Sequence, residues 1–314
     1  MTILNRIKIM AANPLFSRLC NFDTGGVVCA AAVLTAALLA PIRLHAQAST
    51  VPSAAPSAPA GADAEQRGRA LIDQALQALG GDAWLNKTTM TAEGRGSSFF
   101  HGEPNPYVSE YHQAVRFAQP KATPPVTYAS RTGLLTDRSM IFPGKKIDVI
   151  QLLVDNKEYE VTYKGKTEIP QKLSDEDLRR LAHSLNAVLQ QWIHAPGVMI
   201  VYEGRQLIDR HLADQVSVLN AANDAVTLYL DSASHLPIRS SFQYRDPQFH
   251  DFDEESETYD DYHVYQGINT PLTITTYHNG DMVGQAFLTK VTYNESLPPD
   301  TFSPDAVSAK LKKK

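Results

Sequence analysis

The chain has 314 residues, 34 acidic against 29 basic side chains, 43% apolar residues and two cysteines. The acidic balance argues against a nucleic-acid partner, which needs cationic surface. The apolar content is too high for a disordered chain, and two cysteines exclude a disulfide scaffold.

The first segment reads as an export signal. Arg6, Lys8 and Arg18 form a basic opening, Gly25 to Ala40 is apolar and uncharged, and Ala46-Gln47-Ala48 places small residues where a signal peptidase cuts. The apolar run is shorter than the roughly 20 residues that a membrane-spanning helix requires. The expectation is a signal peptide over 1–48, cleavage near Ala48 and a periplasmic or secreted mature protein. Cys20 and Cys29 would leave with that segment, so the mature chain would lack disulfides and thiolate sites. Cys29 follows Val28 at the start of the apolar run, which does not suit lipidation. The mature balance becomes 25 basic against 33 acidic residues. Residues 49–64, STVPSAAPSAPAGADA, are small and proline-rich and read as a disordered linker. A single domain over 65–308 follows, and 309–314 reads as a basic tail.

The first mature element is a helix. Ala70, Leu71, Ala75, Leu76 and Leu79 fall at helical spacing, and Gly80-Gly81 supplies a left-handed stop. Trp84 and Leu85 are expected to fold back onto it. Period-two alternation then dominates. Tyr107, Tyr111, Val115 and Phe117 share one face, with Glu110, His112 and Arg116 on the other. Residues 147–153 and 158–163 join through Asp155-Asn156-Lys157. Val226, Leu228 and Leu230 lead through a turn at 232–235 into Ile238, Phe242 and Tyr244. Leu272, Ile274 and Thr276 pair through Asn279-Gly280 with Phe287, Thr289, Val291 and Tyr293. The connections are short and no strand–helix–strand rhythm appears, so the sheet is an antiparallel meander.

One long helix is expected between Ser174 and Ala195, with Ser174 as N-cap and Asp175, Glu176 and Asp177 in the first turn. Leu178, Leu181, Ala182, Leu185, Val188, Leu189, Trp192 and Ile193 give it one broad apolar stripe, and Pro196-Gly197 ends it. Such a stripe must cover something, and in a β protein the natural partner is a concave sheet face.

The C-terminal third carries V-T-L-Y-L-D (226–231), L-P-I-R (236–239), Tyr259-Asp260-Asp261-Tyr262, Gly267-Ile268 with Pro271, and Thr301-Phe302-Ser303-Pro304. In that order, behind an opening helix and an apolar mid-chain helix, the sequence resembles the LolA-like superfamily from about Leu71 to Pro304. That superfamily holds periplasmic lipoprotein carriers, LppX-type lipid-binding proteins and RseB-type sensors. The resemblance implies a mainly β (α+β) fold: a curved antiparallel sheet forming an unclosed barrel, with an apolar helix across its concave face. It implies acyl chains of lipids or lipoproteins as ligands and carries over no individual cavity residue.

Leu185, Leu189 and Trp192 from the helix, and Phe242, Tyr244, Ile274 and Phe287 from the sheet, are the candidate cavity lining; a closed core built from the same residues is the competing reading. No H-E-x-x-H, Cys-x-x-Cys, P-loop or G-x-S-x-G is present, so neither enzyme nor cofactor is expected. The stretch HDFDEESETYDD (250–261) reads first as a solvated loop. Its alternatives are a calcium site at Asp251, Asp253, Glu255 and Glu257, or a docking patch for a basic partner. Paired carboxylates for glycoside hydrolysis stay open, because they meet in space rather than in sequence. The leading expectation is a monomeric envelope carrier of lipid or lipoprotein acyl chains. The others are an envelope protein-interaction or stress-sensing module without a ligand, and an envelope hydrolase.

Overall fold

The computed structural model describes residues 61–105, 108–117, 129–137, 146–162, 164–246 and 251–312. The expected signal peptide, its cleavage site, most of the linker, Tyr107, Tyr163 and His250 lie outside the described residues.

Helix α1 (Ala62–Leu79) starts inside the stretch expected to be a tether and ends as anticipated. Gly80 takes φ 128°, and its N–H and that of Gly81 return to the carbonyls of Gln77 and Leu76. α2 (Asp82–Leu85) is one turn. The strands follow as β1 (Thr89–Phe100), β2 (Glu103–Pro104), β3 (Ser109–Arg116), β4 (Ala129–Asp137), β5 (Lys146–Val154), β6 (Lys157–Thr162) and β7 (Gly165–Glu168). Helices α3 (Gln171–Ala182) and α4 (Leu185–Gln190) and a 3-10 turn (Trp192–His194) come next. The strands resume as β8 (Met199–Ile208), β9 (His211–Leu219), β10 (Ala225–Asp231), β11 (Pro237–Arg245), β12 (Phe252–Tyr265), β13 (Ile268–His278) and β14 (Asp281–Tyr293), and α5 (Pro304–Lys312) closes the described chain.

All strands belong to one antiparallel sheet in the order β7-β6-β5-β4-β3-β1-β14-β13-β12-β11-β10-β9-β8, with β2 on β1. The ends β7 and β8 do not pair with each other, so the barrel is unclosed. This is the expected fold class, and the order explains the helices. The chain leaves the sheet at one edge, β7, and re-enters at the other, β8. The segment between, α3 and α4, must therefore cross a face of the sheet.

Two-residue turns set the hairpin register. Asp155-Asn156 (φ 50° and 60°) and Asn279-Gly280 (φ 51° and 85°) have both φ values positive, as a turn matching strand twist requires. Asp209-Arg210 and Gln266-Gly267 do the same without an Asn-Gly signature.

The enclosed face is a dry core. Val216, Val218, Val226, Leu228 and Leu230 on β9 and β10 are fully buried, as are Ala75 of α1 and Val188 and Leu189 of α4. Full burial of such an aliphatic side chain contributes about 1.5–3 kcal/mol. Helix α1 lies directly on the main chain of edge strand β8. A Cβ on Gly68 would stand 2.9 Å from the Ile200 carbonyl oxygen and 3.0 Å from the Tyr202 nitrogen, so only glycine fits. The opposite face carries a small second core, in which Val307 and Leu311 of α5 pack on Ile150, Leu152 and Val161. Phe302 of the F-x-P motif packs on Ala114 on that same outer side.

Three expectations need correction. The single helix from Ser174 to Ala195 is two helices. It begins at Gln171, with Ser174 buried inside it, and breaks at His183-Ser184. Ser184 is extended (φ −65°, ψ 155°), and its Oγ accepts from the Ala187 N–H and donates to the Leu181 carbonyl, so it caps a second helix. Phe287 does not share a face with Val291 and Tyr293. The register of β1 on β14 shifts between Glu93↔Lys290 and Gly94↔Leu288, which leaves Thr289 as an extra residue. That bulge reverses the alternation. Ala286, Leu288, Val291 and Tyr293 point to the core, and Phe287 is 42% exposed on the other side. Finally, the acidic stretch is not a loop in its described part: Phe252–Tyr265 is the longest strand, paired on both sides.

Candidate functional site

The crossover places the end of α3 against β11 and β12. The seam between them is aromatic. His183, the last residue of the α3 turn, stacks on Phe242 of β11 at 4.3 Å between ring centroids and 15° between planes. Trp192 meets the same imidazole edge-on at 5.3 Å, and Tyr244 lies 6.2 Å from Phe242. The Arg179 guanidinium sits 3.7 Å over the Tyr244 ring. His183 Nδ1 is 2.7 Å from the Arg179 carbonyl oxygen, which makes Nδ1–H the donor. Burial lowers the His183 pKa, although that hydrogen bond opposes the shift.

Beside the aromatic seam lies a buried ionic cluster. Arg180, 8% exposed, projects from α3 onto Glu255 of β12, which is 2% exposed. Its guanidinium also reaches Glu176 Oε1 at 2.6 Å and Asp177 Oδ1 at 3.9 Å. Burial disfavours the charge on Arg180, but Glu255 and then Glu176 more than offset it and hold the group firmly ionised. Two residues along the same face, Glu257 accepts a 2.9 Å bond from the Tyr259 hydroxyl, which in turn lies 2.8 Å from Ser240 Oγ. Burial pushes the Glu257 carboxyl up to about 6, against the effect of the tyrosine hydrogen bond. Glu255 Oε1 and His278 Nδ1 face each other at 4.0 Å, beyond hydrogen-bonding distance.

The structure brings most of the expected lining residues together. Leu189 is fully buried, Leu185 and Trp192 are half-buried, and Phe242 and Tyr244 pack against them from β11. Ile274 is half-buried and shares the enclosed face through its pairing with Tyr259 and Ala286. Phe287 stands apart on the opposite face, as described above. The four carboxylates of the calcium alternative do not converge. Asp251 accepts from the Phe252 N–H, Asp253 from Asn279, Glu255 holds Arg180 and Glu257 holds Tyr259. Among the described residues no three His, Cys, Asp or Glu side chains are placed to share a metal ion. Nor is any helix among them long and apolar enough to cross a membrane.

Sequence reasoning missed Arg180 and His183. The available signal was the pair Asp177 and Arg180, charges three residues apart within the stripe that also holds Leu181 and Ser184. A charge inside an apolar stripe needs a buried partner.

No protein-family model matches the sequence, and no curated protein matches it significantly. Solved structures do. A DUF1329 family protein from Desulfovibrio piger superposes with a TM-score of 0.50 at 12% identity, covering 76% of this chain and 98% of that one. A putative outer membrane lipoprotein-sorting protein domain from Vibrio parahaemolyticus gives 0.48 at 8% identity, over 78% and 99% of the two chains. A LolA superfamily protein from Nitrosomonas europaea gives 0.43 at 10% identity, over 75% and 97%. The first of these is a likeness of fold. It shares with this chain an architecture, here an open-edged antiparallel sheet with helices crossing its enclosed face, which is the fold class expected from the sequence.

Proposed function

We propose that this protein binds and carries acyl chains of lipids or lipoproteins in the cell envelope, using the face of the unclosed barrel that α3 and α4 cross. The observation that carries this reading is the seam itself. The helical crossover between the two unpaired sheet edges brings Leu185 and Trp192 to Phe242 and Tyr244 of β11, and three of these four large side chains remain partly accessible rather than sealed. Apolar and aromatic groups at a partly accessible seam suit a long aliphatic ligand, which needs area more than hydrogen bonds. The polar groups nearby, Arg180 with Glu255 and Glu257 with Tyr259, are engaged with one another. They position the helix and are not arranged as a nucleophile with its base.

Protein purified from expression of the full chain should carry lipid visible as adducts in native mass spectrometry. After delipidation it should take up a fluorescent fatty acid. Trp192→Ala should weaken that uptake about tenfold, the loss expected when one large apolar contact is removed. Protein that is free of lipid as purified and takes up no probe would sink the reading.

A further inference from the structure

Lys87 lies between α2 and β1, far in sequence from the α3 seam, and is 2% exposed. Its Nζ donates to the Trp84 carbonyl at 3.1 Å, sits 3.1 Å over the Trp84 ring centroid and is 4.9 Å from that of Phe117. No carboxylate among the described residues pairs with it. Burial therefore acts on this amine alone and lowers its pKa well below the ordinary lysine value. A lysine taken out of water with one carbonyl for company is costly unless something else meets its remaining N–H groups.

A second orphan lies close by. Gln190 of α4 is fully buried and donates its Nε2–H to the Leu85 carbonyl at 3.2 Å, the carbonyl next to the one Lys87 uses. Its Oε1 is buried and has no hydrogen-bond partner. An amine with unspent donors and an amide with an unspent acceptor thus meet at consecutive carbonyls of one helix end. Around them is the apolar cluster that includes Trp84, Phe117, Val188 and Leu189. Gln190 ties this helix end to α4, two residues before Trp192 of the aromatic seam.

We propose that Lys87 is the headgroup anchor of the acyl site, and that its nitrogen pairs with the carboxyl group of a free long-chain fatty acid. This rests on the acyl-carrier reading and narrows the ligand from acyl chains in general to acids. A carboxylate beside Nζ favours its ammonium form, so the bound pair is a carboxylate and an ammonium. The ion pair offsets the burial cost that acts on Lys87 alone, so acid should be preferred over any neutral analogue.

The test compares oleic acid, methyl oleate and oleyl alcohol as competitors for a neutral fluorescent lipid probe bound to the delipidated protein. The native protein should prefer the acid by about tenfold or more. Lys87→Met should bind all three alike. Equal affinity of the native protein for acid and ester would overturn the anchor while leaving the carrier reading intact, and this arm needs no variant. A preference that survives in Lys87→Met or Lys87→Gln would also overturn it. Failure of all three competitors and of the probe to bind would remove the carrier reading itself.

Discussion

Two halves of one sheet face are covered by helices held in different ways. Under α1 the floor is aliphatic, with Val216, Val218, Leu228 and Leu230 fully buried against a helix that contributes Ala75 and Leu79. Under α3 the floor carries Glu255, Glu257, Tyr259 and Ser240, and the helix answers with Arg180. Apolar contact is non-directional and depends on volume, so α1 is fixed by how well space is filled. The ionic contact depends on pairing, because each buried charge is tolerable only while its partner is present. The same sheet therefore has one cover anchored by packing and one registered by charge.

The largest effect should come from unpairing the charged half. Arg180→Met leaves Glu255 buried without its cation and should cost about 3–5 kcal/mol in urea unfolding. The double replacement Arg180→Met with Glu255→Met should recover most of that loss, since two apolar groups of similar volume need no partner. A single variant within about 1 kcal/mol of the native protein would show that the pair is not what holds α3. In the aliphatic half, Leu228→Ala should cost about 2–4 kcal/mol through lost burial and the cavity left behind. No second substitution in the ionic cluster should rescue it. If it did, the two halves would be one coupled unit and the contrast between them would fail.

The same contrast separates what was legible in the sequence from what was not. Local rules were legible. Asn279-Gly280 and Asp155-Asn156 announce turns because positive φ is affordable there, and Gly80 announces a helix end for the same reason. Trp192, Phe242 and Tyr244 read as one apolar set and meet at one seam. Features that depend on partners far along the chain were not legible. The acidic run looks like a solvated loop until Arg180, 75 residues away in sequence, is seen against Glu255, and Arg239 against Glu254. The place of Phe287 depends on a bulge at Thr289 that no local residue type demands. The break at Ser184 was within reach, because serine competes with helix continuation through its own hydroxyl. The run of leucines around it argued the other way.

Glu257 gives the finest test of the difference, because it titrates where the aliphatic half cannot respond. Its carboxyl is raised to about 6 by burial, above the ordinary value of 4.5. At pH below about 4.5 the group is protonated in both folded and unfolded chains and has no effect on stability differences beyond its neutral contacts. As pH rises, the unfolded chain ionises first, while the folded chain must hold its proton or place a charge under α3. The folded state thus binds more protons across this interval, and stability falls as pH climbs from about 4.5 through 6. That elevation corresponds to about 1–2 kcal/mol lost by pH 7.5. Glu257→Gln keeps an oxygen to accept from the Tyr259 hydroxyl, so the link to Ser240 survives while the titration is removed. The variant should match the native protein near pH 4.5 and exceed it by about 1–2 kcal/mol at pH 7.5, read as the difference of the two unfolding free energies across that range. Leu228→Ala, measured the same way, should run parallel to the native curve. Parallel curves for Glu257→Gln would instead place its carboxyl in water, and the charged half of the floor would then be less enclosed than the contacts around Tyr259 imply.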